Sequence, residues 1–250
     1  MISCGATLDG ARELALFVAG VLGAERRRRG TRRGRRALTP YRQAVLVLRW
    51  FRDATPVHWL AADHHISIAT AYRYLHEAIT ALDAHTPDLH QVLQQRRAAG
   101  DTHVILDGTP IPAARVAATT IKTKGKNRGA TVHLWYSGKH RSFGGNIQFL
   151  AGADGFPLWA SPVLPGSRND LSATGILTPV KKATGQPPLA TDQQTSNLLH
   201  TRLRALGERA AALLKTRRQA LHRITLCPEH IGTIVQAALV LTHHEHHRRY

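Results

Sequence analysis

Carboxylates in the second half of the chain are the residues best suited to metal-assisted chemistry. Residues 101–250 contain eight acidic side chains: Asp101, Asp107, Asp154, Asp170, Asp192, Glu208, Glu229 and Glu245. Magnesium in proteins is held mainly by carboxylate oxygens. Asp107 is the strongest candidate ligand, because it ends the apolar run Val104 to Leu106 and is followed by Gly108. An Asx turn formed with Gly108 explains Asp107 equally well.

Most of the other polar candidates have simpler interpretations. Asp170 precedes the letters LSA and suits a helix N-cap, while Asp154 lies in a turn-like ADG segment. Glu208 lies on an arginine-rich helix and suits a surface ion pair. The C-terminal segment THHEHHRRY has a composition that can bind metal, but a flexible tail is the simpler interpretation.

Several enzyme and compartment classes are excluded by missing patterns. The sequence has no GxxxxGK[ST] phosphate loop, no GxSxG motif and no CxxC pair. Cys4 and Cys227 cannot form a disulfide framework, which favours a reducing compartment. Charged residues interrupt the apolar stretch near the N-terminus, so it does not read as a secretory signal. No run of about 18 apolar residues predicts a membrane span. We therefore expect a cytoplasmic protein.

Positive charge dominates the composition. The chain has 34 Lys and Arg against 16 Asp and Glu, a formal net charge of +18. Basic side chains outnumber acidic ones both in residues 1–100 and in residues 101–250. This excess favours a polyanionic partner, above all nucleic acid. A generally basic surface is the alternative, and a membrane surface is disfavoured because the densest basic cluster lacks interleaved apolar residues.

That densest cluster follows a helix predicted over residues 7–24. The segment ERRRRGTRRGRR spans residues 25–36, and Gly30 and Gly34 should break a helix there. We expect a flexible basic arm that contacts DNA phosphates. Its arginines are Arg26, Arg27, Arg28, Arg29, Arg32, Arg33, Arg35 and Arg36.

Residues 55–85 predict two helices joined by a tight turn. Thr55-Pro56 should cap the first, Asp63 to His65 should form the turn, and Ser67 should cap the second. The buried stripe predicted for the second helix consists of Ile68, Ala71, Leu75, Ala78, Ile79 and Leu82.

The opposite face of that second helix carries Thr70, Tyr72 and Arg73. A short helix, a turn and a longer helix with a polar outer face form a helix-turn-helix pattern. In that geometry Ser67, Thr70, Tyr72 and Arg73 would face the DNA major groove. An ordinary αα-hairpin within a bundle is the alternative.

In the second half of the chain, the pattern of apolar residues changes from helical spacing to short runs typical of strands. Strand-like runs occur near residues 104–106, 131–136, 146–151 and 157–164, and Ala153 to Gly155 predicts a hairpin turn. Helical periodicity returns after LTPVKK and again over about 229–244. The chain is therefore predicted to be mixed α/β, with a boundary near residue 100.

Several segments resemble bacterial insertion-sequence transposases of the DDE superfamily. They are AERRRRGTRRGRRAL (24–38), ISIATAYRYL (66–75), LDGTPI (106–111), WYSGKHRSFGGNIQFL (135–150), PGSRNDL (165–171), LRALGERAAALLKTR (203–217) and the final IGTIVQAALVLTHHEH. They run along nearly the whole chain in the family's order. The SGKH and TAYRYL segments are the most specific of them.

The resemblance implies an all-helical helix-turn-helix region over 1–100 and an RNase H-like DDE domain over 101–250. In this superfamily three carboxylates hold two divalent metals, usually magnesium, which promote phosphodiester cleavage and strand transfer. Asp107 matches the first of these carboxylates and Glu208 the glutamate, with Arg209 and Lys215 completing the glutamate motif. Manganese would suit the same ligands.

The resemblance also implies partners and a location. Double-stranded DNA at the inverted-repeat ends of an element would be the partner, in a bacterial, nucleoid-associated setting. Lys139, His140 and Arg141 of the SGKHR segment are expected to contact DNA as well. Transposases of this kind often work as dimers or larger assemblies, so a homo-oligomer is compatible.

The chain departs from the family at the second catalytic aspartate. That residue lies on a strand preceded by a helix, and the segment should fall between PGSRNDL and TPVKK. Only eight residues separate Asp170 from Pro179, too few for a helix of about ten residues and a strand of about five. The domain is therefore expected to be internally shortened near 171–178, without its second ligand.

Three hypotheses follow from this deletion. The first is a DNA-binding transposase remnant or competitor that cleaves poorly or not at all. The second is an active enzyme in which Asp170 replaces the missing ligand. The third is a chain that the deletion prevents from folding stably.

Overall fold

The computed structural model describes residues 12–32, 34–114, 116–121, 128–167 and 190–247. Its helices are α1 (Arg12–Arg28), α2 (Pro40–Asp53), α3 (Val57–Asp63), α4 (Ile68–Asp83), α5 (Leu89–Ala98), α6 (Thr191–Arg217) and α7 (Ile231–Glu245). Its strands are β1 (Ile105–Pro112), β2 (Thr119–Ile121), β3 (Thr131–His133), β4 (Tyr136–Ser137), β5 (Ser142–Ala151), β6 (Pro157–Ala160) and β7 (Leu164–Pro165). The predicted mixed α/β class is confirmed. None of the described helices is long and apolar enough to cross a bilayer.

Two helices begin at hydroxyl side-chain caps, and the cap at Ser67 confirms a predicted helix start. The Thr39 hydroxyl accepts from the Arg42 N–H at 3.2 Å, with Pro40 as the first residue of α2. The Ser67 hydroxyl accepts from the Thr70 N–H at 3.2 Å, at the start of α4. Helix α3 begins after Pro56, within the predicted Thr55-Pro56 cap, but Thr55 does not cap it, because its hydroxyl donates to the Arg49 carbonyl.

The basic segment 25–36 is less of a free arm than predicted. Helix α1 continues to Arg28, and Glu25 accepts hydrogen bonds from Arg28 and Arg29 one turn further on. Such i, i+3 and i, i+4 pairs favour the helical conformation. The chain leaves the helix at Gly30, whose φ of 62° confirms the predicted break.

Strand β5 is the centre of an antiparallel sheet. Strand β1 pairs along one edge, from Ile105 opposite Ala151 to Pro112 opposite Gly144. The short strands β4, β7 and β6 follow one another along the other edge. The predicted hairpin turn is confirmed, since the Asp154 carboxylate accepts from the Phe156 N–H at 2.9 Å and Gly155 has a φ of 74°.

One hydrophobic core joins the two halves of the chain. Helix α4 packs against α7, and the same buried cluster includes Leu75 of α4, Ile147 of β5 and Leu241 of α7. The core therefore does not divide at residue 100, where the sequence suggested a boundary. The predicted shortening near 171–178 lies outside the described residues.

The C-terminal histidines are not all part of a flexible tail. His243 and His244 belong to α7, and His243 is buried with its Nε2 2.6 Å from the Pro157 carbonyl oxygen. The His244 ring stacks on Phe17 with the ring centres 4.0 Å apart. These two side chains pack α7 against β6 and α1. This part of the predicted tail is therefore helical and packed on the protein.

Candidate functional site

Helix α6 crosses β1 at the strongest candidate ligand, Asp107. A Cβ added to Gly207 would lie 2.6 Å from the Asp107 Cβ and 3.3 Å from its Oδ2. The helix can approach the strand this closely only because residue 207 has no side chain. Asp107 itself is half-buried and stands opposite Phe149 in the β1–β5 ladder.

The same crossing brings the second predicted ligand to this part of the sheet. Glu208 follows Gly207 directly, so its backbone is one residue from the contact with Asp107. Its side chain is exposed and lies 4.0 Å from Arg204, one helical turn earlier. Asp107 and Glu208 are 101 positions apart in sequence and are placed on facing elements.

Lys215 fastens α6 to β1 two turns beyond this crossing. Its Nζ donates to the Thr109 hydroxyl at 2.9 Å and to the Pro110 carbonyl at 3.2 Å. Burial lowers the pKa of this ammonium group below its ordinary value. The motif lysine therefore positions α6, and with it Glu208, on the strand that carries Asp107.

Two of the candidate magnesium ligands lie on facing elements of the described structure. Asp107 and Glu208 supply the hard carboxylate oxygens that magnesium prefers. Asp170, the third candidate, lies outside the described residues. Across the described part of the chain, no group of three or more His, Cys, Asp or Glu is placed to hold a metal ion. Two carboxylates do not supply the ligand set of a two-metal centre.

The helix-turn-helix pattern corresponds to α3, a tight turn and α4. The His64 N–H donates to the Leu60 carbonyl, and the Ile66 N–H donates to the Ala61 carbonyl. His65 occupies the turn with a φ of 54°. Most of the predicted buried stripe of α4 is confirmed, but Ile68, the first residue of the helix, is 52% exposed. Helical periodicity predicts the face on which a residue lies and not how far along the helix the packing extends.

The predicted DNA-contacting side chains lie on the exposed N-terminal part of α4. The Ser67 hydroxyl donates to the Thr70 hydroxyl at 2.9 Å, and an Arg73 guanidinium nitrogen donates to the same oxygen at 2.9 Å. Tyr72 is 39% exposed beside them. The Thr70 oxygen thus accepts twice, which holds Arg73 along the helix surface and leaves its remaining N–H groups for other acceptors.

Two of the arginines predicted to contact phosphates form hydrogen bonds within the protein. Arg36 forms a bidentate ion pair with Glu77, with both N–O distances 3.0 Å. Arg26 donates to the Leu38 carbonyl at 3.0 Å and to the Gln43 side chain at 2.6 Å, and burial lowers its pKa. Both guanidinium groups are partly buried at these contacts. Their hydrogen bonds hold the basic segment against α2 and α4.

The other arginines of this segment differ in what they contact. Arg28 and Arg29 lie beside Glu25, and their hydrogen bonds lower the pKa of Glu25 to about 2. Arg27, Arg32 and Arg35 are exposed and do not bond to Glu25, whereas Arg33 lies outside the described residues. We therefore expect Arg27, Arg32 and Arg35 to be the arginines available to phosphates.

The structure does not bring the SGKHR segment to Asp107. Lys139, His140 and Arg141 are exposed in the turn between β4 and β5. Asp107 pairs with Phe149, eight residues along β5 from Arg141. At about 3.3 Å per residue this separation is roughly 26 Å along the strand. Any DNA contact made by this turn is thus remote from the candidate ligands.

Two of these relationships were not anticipated from the sequence. The Gly207–Asp107 contact has a local signal, a glycine in the Ala- and Leu-rich stretch LRALGERAAALL directly before Glu208. The Arg36–Glu77 pair has none, because its partners are 41 positions apart and nothing distinguishes Glu77 from a surface acid.

Comparison with known proteins gives no match: no family model, curated protein or solved structure matches this chain.

Proposed function

We propose that the chain is a DNA-binding protein of the DDE-transposase type that recognises element-end DNA through α3 and α4 and has an impaired cleavage site. The observation that carries the proposal is the Ser67–Thr70–Arg73 hydrogen-bonded row on the exposed start of α4. A helix placed this way after a tight turn can enter the major groove.

The chemistry of this row suits base recognition. An arginine can bind guanine O6 and N7 together, and hydroxyl groups can contact several base edges. The Thr70–Arg73 hydrogen bond restricts the guanidinium before DNA binds, which lowers the ordering cost of a contact. The exposed Arg27, Arg32 and Arg35 would add phosphate contacts that are independent of sequence.

The cleavage site is proposed to be impaired because the sequence matches only two of the three family carboxylates, Asp107 and Glu208. Asp107 and Glu208 would hold a divalent cation, which in this superfamily polarises the scissile phosphate and activates the attacking oxygen. Phosphoryl transfer depends on placement of the reacting groups. A site lacking one ligand should therefore bind metal weakly and align the reactants poorly.

DNA binding can be tested by selection from a pool of random duplexes, followed by affinity measurement on the selected sequence. Arg73→Ala should weaken binding to that sequence by about 1–3 kcal/mol and should change binding to an unrelated duplex little. Arg97→Ala removes an exposed arginine of α5 and serves as the control. Equal affinities of the chain and Arg73→Ala on every duplex would overturn recognition by α4.

A second candidate function is an active DNA-cleaving enzyme in which Asp170 supplies the missing ligand. The observation in its favour is the placement of Glu208 next to the Gly207–Asp107 contact, as an assembled site requires. Metal-dependent nicking that is lost in both Asp107→Ala and Asp170→Ala would establish it.

A further inference from the structure

A cavity lies on the opposite side of α6 from Asp107. It has a volume of about 510 Å³ and is bounded by the β5–β6 turn, the last turns of α6 and the end of α7. Its lining includes Arg209, Arg217 and His246. Successive helix residues are about 100° apart, so Arg209 points roughly 200° away from Gly207. The cavity is therefore separate from the candidate metal ligands.

The rim of this cavity carries positive charge without an equal number of carboxylates. Arg209 and Arg217 are exposed, and within the described part of the chain neither forms an ion pair with an acidic side chain. The adjacent Arg218, by contrast, is buried against Glu245 at 2.9 Å. Asp154 is the acidic residue of the lining, and its carboxylate accepts from the Phe156 N–H.

The floor of the cavity is apolar. Phe156 is buried there, with its ring centre 5.3 Å from that of His246. Leu213 and Ala212 of α6 continue the floor, and the exposed Thr216 lies beside Arg217. A cationic rim above an apolar floor suits a ligand with an anionic group attached to a flat or weakly polar body.

We propose that this cavity binds a nucleotide unit through its phosphate ester. Arg209 and Arg217 would hold the phosphate, since guanidinium groups bind phosphate oxygens by paired, charge-assisted hydrogen bonds. The sugar or base would pack on Phe156 and Leu213. The volume falls within the range of about 300–1,000 Å³ typical of small-ligand pockets.

The same chemistry could be presented by a free nucleotide or by one nucleotide of a DNA strand. Recognition of either by this cavity does not require α4. If the source is a DNA strand, the inference rests on the proposed function and adds a contact remote from the helix-turn-helix.

Calorimetric titration of the full chain with AMP, inorganic phosphate and a single-stranded octanucleotide tests the proposal. AMP should bind with one-to-one stoichiometry and more tightly than inorganic phosphate, because only AMP has a group for the apolar floor. Arg209→Gln combined with Arg217→Gln should weaken binding by about tenfold or more. Arg97→Gln combined with Arg223→Gln makes the same charge change at exposed sites outside the cavity and should leave AMP binding within about twofold.

Two further variants separate the outcomes. Thr216→Glu places a carboxylate at the rim of the cavity, at an exposed helical position, so it should abolish AMP binding while circular dichroism stays unchanged. Arg73→Ala should keep AMP binding intact, which distinguishes failure of this proposal from failure of DNA recognition by α4.

Octanucleotide binding that requires Arg209 and Arg217, without AMP binding, identifies a DNA strand as the source. Binding of neither ligand, or binding equally strong in the Arg209→Gln/Arg217→Gln variant, overturns the proposal.

Discussion

Gly207 lies so close to Asp107 that a methyl group at position 207 would come within 2.6 Å of the Asp107 Cβ. This contact sets the distance between α6 and β1, and it brings the backbone of Glu208 close to the strand that carries Asp107. Lys215 secures the same crossing through Thr109 and Pro110. The candidate ligands therefore depend on packing between two elements that are far apart in sequence.

Gly207→Ala should destabilise the protein and displace α6 from β1. Overpacking of this kind typically costs about 1–3 kcal/mol, which exceeds the gain in helix propensity of about 1 kcal/mol from replacing a helical glycine. Thermal or urea unfolding measures the change. Gly20→Ala is the matched control, because Gly20 lies in α1 with nothing within 4 Å of an added Cβ. The control should be neutral or stabilising, and the same result for Gly207→Ala would contradict the close approach of α6 to β1.

Glu77→Gln should destabilise the fold through Arg36. The carboxylate is 6% exposed and accepts from both Arg36 nitrogens, so its loss leaves a guanidinium partly buried without its counter-ion. We expect a loss of about 2 kcal/mol in the free energy of unfolding. Arg204→Gln, which breaks the exposed pair with Glu208, should change stability by less than about 1 kcal/mol. Equal effects of the two substitutions would refute a structural role for Arg36.

Arg27, Arg32 and Arg35 should contribute to DNA affinity through phosphates alone. Their combined replacement by glutamine should weaken binding to all duplexes alike. The slope of log affinity against log salt should become shallower by about 0.9 for each phosphate that the variant no longer neutralises. Fluorescence anisotropy between low and moderate salt measures that slope. An unchanged slope, or weaker binding confined to one DNA sequence, would show that these side chains do not bind phosphates.

Stability should fall as the pH is lowered through the ordinary titration range of histidine. The pKa of His64 is lowered from 6.5, first by burial and then by Arg42 and Arg49, and its Nδ1 is buried without a hydrogen-bond partner in the described structure. The unfolded chain therefore takes up a proton near pH 6.5 while the folded chain stays neutral. Stabilisation by the neutral His64 is complete above that pH and is lost as the pH falls toward the lowered pKa.

His64→Gln should flatten the dependence of Tm on pH between about 7.5 and 5. For a chain of this size, each kcal/mol corresponds to roughly 2–4 °C in Tm. His76, whose pKa is lowered by burial and by His230, should leave a residual dependence in the same direction. His58→Gln changes an exposed histidine of α3 and is the control. A pH profile of His64→Gln that overlays the unmodified chain would disprove the assignment.

Local patterns in the sequence predicted the local features well. The hydroxyl cap at Ser67 and the Asp154–Gly155 turn depend on neighbouring residues, so they could be identified from short segments. Ile68 fits the apolar stripe of α4 but is exposed, because periodicity does not show how far along a helix the packing extends. The composition of the basic segment predicts a loose arm because its partners, Gln43 and Glu77, lie in helices further along the chain.

The arrangement of elements was harder to predict. The packing of α4 on α7 joins residues about 160 positions apart, and no local signal links them. Asp107 is a candidate because it ends an apolar run, whereas Glu208 becomes one only through the resemblance to transposases, and their placement on facing elements depends on Gly207. Arg209 points away from Asp107 because it lies two residues beyond Gly207, roughly 200° further around the axis of α6.

The most direct test is to incubate the purified chain with supercoiled plasmid carrying candidate inverted-repeat ends, in magnesium or manganese, and to resolve the products by gel. Asp107→Ala and Arg73→Ala are run beside it. We predict salt-sensitive retardation that is stronger than for the same plasmid without the ends, an excess that Arg73→Ala loses, and no increase in nicked circles over the Asp107→Ala lane. Metal-dependent nicking that disappears in Asp107→Ala would contradict the impaired cleavage site, and an excess retardation that Arg73→Ala retains would contradict recognition through α4.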